Sequence, residues 1–160
     1  MSAAARTPAH GAHLEPRRQY AALPYRGKEK LKVLLITSRE TRRWVIPKGW
    51  PMKGKAPHVT AAREAFEEAG LVGVIAKRPL GEFGYDKRMK TGQALPCRVE
   101  VFPMKVTVQH RTWPEKEERT SQWFDWEEAA EAVDEAELAD LIRAFARQLL
   151  KGKGKLKSAP

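Results

Sequence analysis

The sequence predicts an α+β fold, a single domain in which mixed strands and separated helices pack as a sandwich of sheet and helices. Three observations carry this. The chain has 160 residues, enough for one buried core, and 42% of them are apolar, as in a globular protein. Short β-branched apolar runs such as KVLLITSR alternate with polar turns. Helical periodicity is confined to separate points in the chain, chiefly PHVTAAREAFEEAG and DEAELADLIRAFARQLLKG. There is no internal repeat.

In chain order, residues 1–19 read as a disordered basic tail, 20–151 as the folded domain, and 152–160 (GKGKLKSAP) as a disordered, low-complexity cationic tail. KVLLITSR (Lys32–Arg39) is strand-like, and RWVIP (Arg43–Pro47) reads as a second strand after a tight turn at Glu40, Thr41 and Arg42. PKGWPMKGKAP, with three prolines and two glycines, reads as a loop. Pro57 suits the first position of a helix and Gly70 its C-terminal stop. Ala56 is a poor N-cap, costing about 1 kcal/mol against serine. VGVIA then reads as a strand. PLGEFGYDKRM begins a hairpin whose partner is the alternating Cys97–Gln109 segment. TSQWFDW is a further strand and EEAAEAV a short helix. The final helix carries Leu138, Leu141, Ile142, Phe145 and Leu149 on one face.

Charge and composition narrow the function classes. The net charge is +10, and residues 26–119 alone hold 21 Lys/Arg against 11 Asp/Glu, whereas residues 120–150 hold two against eight. The basicity therefore belongs to the central span as well as the tails, a field that attracts polyanions such as polyphosphates or nucleic acid. It equally suits solubilising surface charge. No apolar run approaches the roughly 20 residues needed to cross a bilayer, so no membrane partner is expected. The first 20 residues lack the apolar core of a secretory signal. Cys97 is the single cysteine, which excludes an intramolecular disulfide and a cysteine-cluster metal site and fits a cytoplasmic protein. His10, His13, His58 and His110 show no metal-ligand spacing, and Cys97, in a strand pattern, reads as a small buried residue.

The acidic run REAFEE stands out in this basic span. Glu64, Glu67 and Glu68, at i, i+3 and i+4, share an arc of roughly 100° on a helix. Ala61, Ala62, Ala65, Phe66 and Ala69 take the opposite side, and Arg63 lies one turn before Glu67. Clustered carboxylates either hold a hard divalent cation, as Mg²⁺ sites do with one or two carboxylates plus substrate phosphates, or form a solvated acidic face supported by an Arg63–Glu67 pair.

Residues 49–71 resemble the signature of the Nudix hydrolases, G-x5-E-x7-R-E-U-x-E-E-x-G-U, where U is a bulky apolar residue. Gly49 matches the opening glycine, Arg63 and Glu64 the first pair, Glu67 and Glu68 the second, and Gly70 and Leu71 the close. Ala65 fills the first apolar position weakly, and Lys55 stands where the family has its loop glutamate. Over roughly residues 20–146 the sequence is also similar to the branch that contains diphosphoinositol and diadenosine polyphosphate phosphohydrolases.

The resemblance implies an α/β/α sandwich with a mixed β-sheet and Mg²⁺- or Mn²⁺-assisted hydrolysis of a phosphoanhydride. It implies Glu67, Glu68 and Glu64 as metal ligands, with Glu64 alternatively positioning or deprotonating water, and Arg63 orienting the glutamates. Gly49 and Gly54 would let the loop approach the phosphates. Lys48, with Arg42, Arg43, Arg98 or Arg119, would bind them. The lost loop carboxylate leaves either a weakened site or compensation by Glu115, Glu117 or Glu118. Trp50, Tyr85, Phe83 and Trp44 are candidates for stacking on a base, Trp44 reading more readily as core. The implied substrate is a small polyphosphate or nucleotide, diadenosine polyphosphates first, then inositol pyrophosphates or nucleotide sugars. RNA 5′-pyrophosphohydrolase activity and a non-catalytic binding module weakened at Lys55 are the alternatives.

Overall fold

A computed structural model describes the backbone of residues 15–27 and 29–158. His10, His13 and most of the expected N-terminal tail lie outside the described residues. The apolar run KVLLIT forms strand β2 (Lys32–Thr37), and its side chains alternate between two cores. Val33 and Leu35 enter one cluster, while Leu34 and Ile36 enter the other. A strand buried on both faces needs no polar positions, which explains the unbroken hydrophobicity.

Strand β1 (Arg17–Arg26) behaves the same way, sending Ala21 and Leu23 to the first cluster and Ala22 to the second. It starts within residues 17–19, which were expected as tail. Gln19 is 3% exposed, Arg18 pairs with Glu82 at 2.8 Å, and Arg17 lies over the ring of Trp50 at 4.9 Å. The expected second strand is present only as β3 (Trp44–Val45). Two residues of the expected loop form β4 (Lys48–Gly49), which pairs with Tyr20 and Ala21 of β1 between the flanking prolines 47 and 51.

Next come helix α1 (Pro57–Ala69), strand β5 (Leu71–Ile75), and the hairpin of β6 (Gly81–Arg88) with β7 (Ala94–Gln109). A 3-10 turn at Lys116–Glu118 leads to β8 (Ser121–Asp125), helix α2 (Trp126–Ala132) and helix α3 (Ala136–Ser158). Helix α3 continues past residue 151, where a disordered tail was expected; residues 159–160 lie outside the described residues.

The eight strands form one mixed sheet with the path β3-β2-β1-β7-β5, while β4, β6 and β8 pair with β1, β7 and β2. The central pair is parallel, from Arg17↔Cys97 to Tyr25↔Lys105, and the other pairings are antiparallel. Helix α1 covers one face with Ala61, Ala65 and Ala69, small residues that allow a close approach to the sheet. Helices α2 and α3 cover the other with Ala129, Ala130, Leu138, Ile142 and Phe145, while Leu141 and Leu149 pack at its margin. The result is the expected α/β/α sandwich in one domain. Phe83 and Cys97 are buried in it, and Trp44 packs edge-on against Phe124 at 5.0 Å.

Candidate active site

Helix α1 begins as the sequence predicts. Ala56 caps it without a side-chain bond, its carbonyl accepting from Val59 and Thr60, and Pro57 occupies the first turn. It ends at Gly70, whose φ of 70° lies in the left-handed region and whose N–H reaches Phe66 O at 2.8 Å. The end of β7 and the segment after it bond carbonyls at this end of the helix: His110 N–H donates to Gly70 O, Gln109 Nε2 to Ala69 O, and Glu115 N–H to Glu67 O. The acidic helix is thus tied at its C-terminal end to the segment that carries Glu115.

The buried face of α1 differs in one respect from expectation. Phe66 is half-buried and meets His110 edge-on at 5.2 Å, while Glu68 is 7% exposed. Glu68 is held by Lys48 N–H at 3.3 Å and by the Arg119 guanidinium at 3.5 Å. Burial pushes the Glu68 carboxyl and that of the neighbouring Glu64 up from the usual carboxylate range. Gly49 makes room for this pair, because a Cβ on it would sit 2.3 Å from the Glu64 carboxyl. Glu67 instead accepts from Arg63 Nε at 3.1 Å on the surface.

These groups open into a cleft of about 490 Å³. Glu64, Glu67, Glu68 and Glu115 line one side, and Arg43, Lys48, Lys87, Arg88 and Arg39 line the others, together with Trp50 and Tyr85. Lys48 lies over the Tyr85 ring at 4.9 Å and Arg43 at 5.8 Å, and Arg43 is ion-paired to the buried Glu135. Burial lowers the Lys48 ammonium from its ordinary range, opposed by the charge of Glu68.

Several expected participants are placed elsewhere. Arg98 bridges Glu82 and Glu137 and does not line the cleft, because its position on β7 faces the start of α3. Arg42 reaches Glu118 O and Thr120, again outside it. Arg119 lines the cleft, but its guanidinium is engaged by Glu115, Thr37 O and Glu68. Among the three distal acids only Glu115 faces the cleft; Glu118 pairs with Arg39. Lys55 is exposed and lines a separate depression of about 230 Å³ with Met52, Val59, Phe66 and Val72. Gly54 has φ of 75° with open space around its α-carbon, so it serves the turn and not a close approach. Gln19 and Asp86, which line the cleft, were missed, as was Glu135, which precedes α3 and pairs with Arg43; strand pairing brings in the first two, and no local pattern marks any of them.

Comparison with known proteins decides the family. The model of the NUDIX domain matches residues 15–145. The chain belongs to the Nudix hydrolases. It is 34% identical over 105 residues to Nudix hydrolase 12, mitochondrial, of Arabidopsis thaliana, covering 64% of this chain and 52% of that protein. It is 31% identical over 120 residues to mouse (Mus musculus) diphosphoinositol polyphosphate phosphohydrolase 3-alpha, covering 73% and 69%. The chain spans about half to two thirds of the length of the first curated Nudix relatives it matches. A solved Nudix-fold neighbour, the Ap4A hydrolase of C. elegans, superposes with a TM-score of 0.61 at 21% identity over 84% of this chain and 99% of that one. Among the described residues no helix is long and apolar enough to cross a membrane.

Proposed function

We propose that this Nudix domain hydrolyses a phosphoanhydride bond in a small polyanionic substrate with the help of a divalent cation, Mg²⁺ or Mn²⁺. The carrying observation is that the Glu64, Glu67, Glu68 and Glu115 carboxyls line one cleft together with Lys48, Arg43 and Arg39. Two carboxyls brought together by the fold need a proton or a cation between them, so the donor set suits a hard cation. Among the described residues no group of three acidic, histidine or cysteine side chains stands ready as a metal cage. Mg²⁺ commonly takes one or two carboxylates and completes its sphere with water and substrate phosphates. Glu68 would hold it, with Glu64 beside it. Glu67 would join through its other oxygen, with Arg63 Nε still on Oε2 at 3.1 Å.

A bound cation there supplies charge neutralisation at the phosphoryl oxygens. Lys48 and Arg43 take the outer phosphates, and Arg119 keeps Glu68 and Glu115 in place. Water attacks one phosphorus, the bridging P–O bond breaks toward the leaving phosphate, and Glu64 accepts the proton of the water. Arg63 orients Glu67. Diadenosine polyphosphates and diphosphoinositol polyphosphates are the favoured substrates. The 31%-identical relative named for the latter supports a multiply phosphorylated ligand. A cytoplasmic location is proposed from the single buried Cys97.

The test is phosphate release from a panel of dinucleoside polyphosphates, diphosphoinositol polyphosphates and 5′-triphosphorylated RNA, with Mg²⁺ or Mn²⁺. Glu68→Gln is expected to lower kcat on the preferred substrate by on the order of 100-fold or more. Turnover unaffected by Glu68→Gln and Glu64→Gln would remove the metal assignment. No turnover across the panel would leave a binding module in its place.

A further inference from the structure

We propose that Tyr85 is a positioning residue for the anion-binding wall: its ring gathers the Arg43 guanidinium and the Lys48 ammonium so that both meet one phosphoryl group of the substrate. The inference rests on the phosphate-binding role proposed for those two cations. Two like charges facing one cleft repel each other and drift apart into water unless something between them favours both. An aromatic face does so, because its quadrupole is negative at the ring and attracts a cation within about 6 Å of the centroid.

Tyr85 meets that condition twice, with Lys48 Nζ at 4.9 Å and Arg43 Cζ at 5.8 Å. The ring itself is fixed from behind. Its hydroxyl donates to Gln19 Oε1 at 2.6 Å, and Gln19 is 3% exposed in the central strand β1. Strand pairing sets Tyr85 opposite the buried Cys97. Arg43 is also ion-paired to Glu135, and the charge of Glu68 acts on Lys48. Arg43 immediately precedes β3 and Lys48 opens β4, so the two cations reach the ring from different elements. Tyr85, Arg43 and Lys48 all line the same cleft.

The proposal is tested by titrating the full chain with inorganic tripolyphosphate in Mg²⁺, a probe with no base to stack. Tyr85→Phe keeps the ring, and Tyr85→Leu removes it. We expect Tyr85→Leu to weaken binding by about tenfold and Tyr85→Phe by less than about threefold, rescue that a purely structural role of the hydroxyl does not produce. Tyr85→Met serves in place of the leucine variant if that chain does not fold. Unchanged affinity in Tyr85→Leu, or equal losses in both variants, overturns the proposal while leaving the cleft assignment standing. A loss seen with ATP but not with tripolyphosphate also overturns it, since it makes Tyr85 a base-stacking surface. Wild-type chain that does not bind tripolyphosphate overturns the cleft assignment and this inference with it.

Discussion

The six-membered ring of Trp113 packs against the α-carbon of Gly70, so closely that a methyl group on Gly70 would lie 2.3 Å from Trp113 Cε3. The contact ties the end of the acidic helix to the loop that carries Glu115. Gly70 also has φ of 70°, a left-handed backbone that side chains resist. Gly70→Ala combines that strain, about 1 kcal/mol, with overpacking of about 1–3 kcal/mol. Thermal unfolding is expected to show Tm lowered by roughly 4–16 °C, and metal-dependent activity should fall with it. A Tm within 1 °C or so of wild type would show that the indole moves aside freely.

Gly49→Ala is predicted to separate chemistry from stability. The backbone of Gly49 does not need a positive φ, so the substituent acts through its Cβ, which would lie 2.3 Å from the Glu64 carboxyl. Glu64 must swing away. A displacement of this order costs about 10- to 100-fold in kcat. Tm should change little, because the displaced carboxylate faces the cleft. Full activity in the alanine variant would mean that Glu64 has no fixed role.

Lys55→Glu restores the family residue, yet it is expected to change kcat by less than about twofold, the scale of an exposed substitution. Lys55 sits in a depression apart from the cleft, beside Met52 and Phe66. A large gain in rate, read from initial velocities at saturating Mg²⁺, would show that the loop folds over to deliver this side chain to the carboxylates.

Glu82 gives a prediction in pH. The Arg18 guanidinium, and then Arg98, hold its carboxyl below the ordinary range. A folded pKa below the unfolded one stabilises the protein above the unfolded value, and that contribution disappears as pH falls through the folded value. Denaturation of Glu82→Gln should therefore show a loss of roughly 0.2–1 kcal/mol at pH 7 that vanishes in the acid range below about pH 4. Arg98→Ala should show a similar small loss with KM unchanged, because Arg98 serves Glu82 and Glu137 outside the cleft.

Helix α1 was legible because its signals are local. Pro57, the small residues 61, 65 and 69, the spacing of Glu64, Glu67 and Glu68, and Gly70 all act within one segment. Strand β1 was not foreseen at all, for the opposite reason. Arg17, Arg18 and Gln19 look like tail, and become strand only through pairing with Cys97, Arg98 and Val99. The two-residue strand β4 is too short to show any period, and it exists because β1 offers it partners. Arg98 was assigned to substrate on charge alone, whereas Glu137 on a distant helix claims it. Nothing in the acidic run 115–118 distinguishes Glu115 from its neighbours; the bond from its N–H to Glu67 O does.

The parallel ladder between β1 and β7 also shapes how the chain reaches its fold. Every residue of β1 in that ladder pairs with one eighty positions further on, so the middle of the sheet cannot close until most of the polypeptide exists. Loop closure on that scale must precede its reward, which places the domain among slow, high-contact-order folders. During synthesis the amino-terminal third would wait with the β7 edge of β1 unmatched, a stage at which a chaperone has the most to offer.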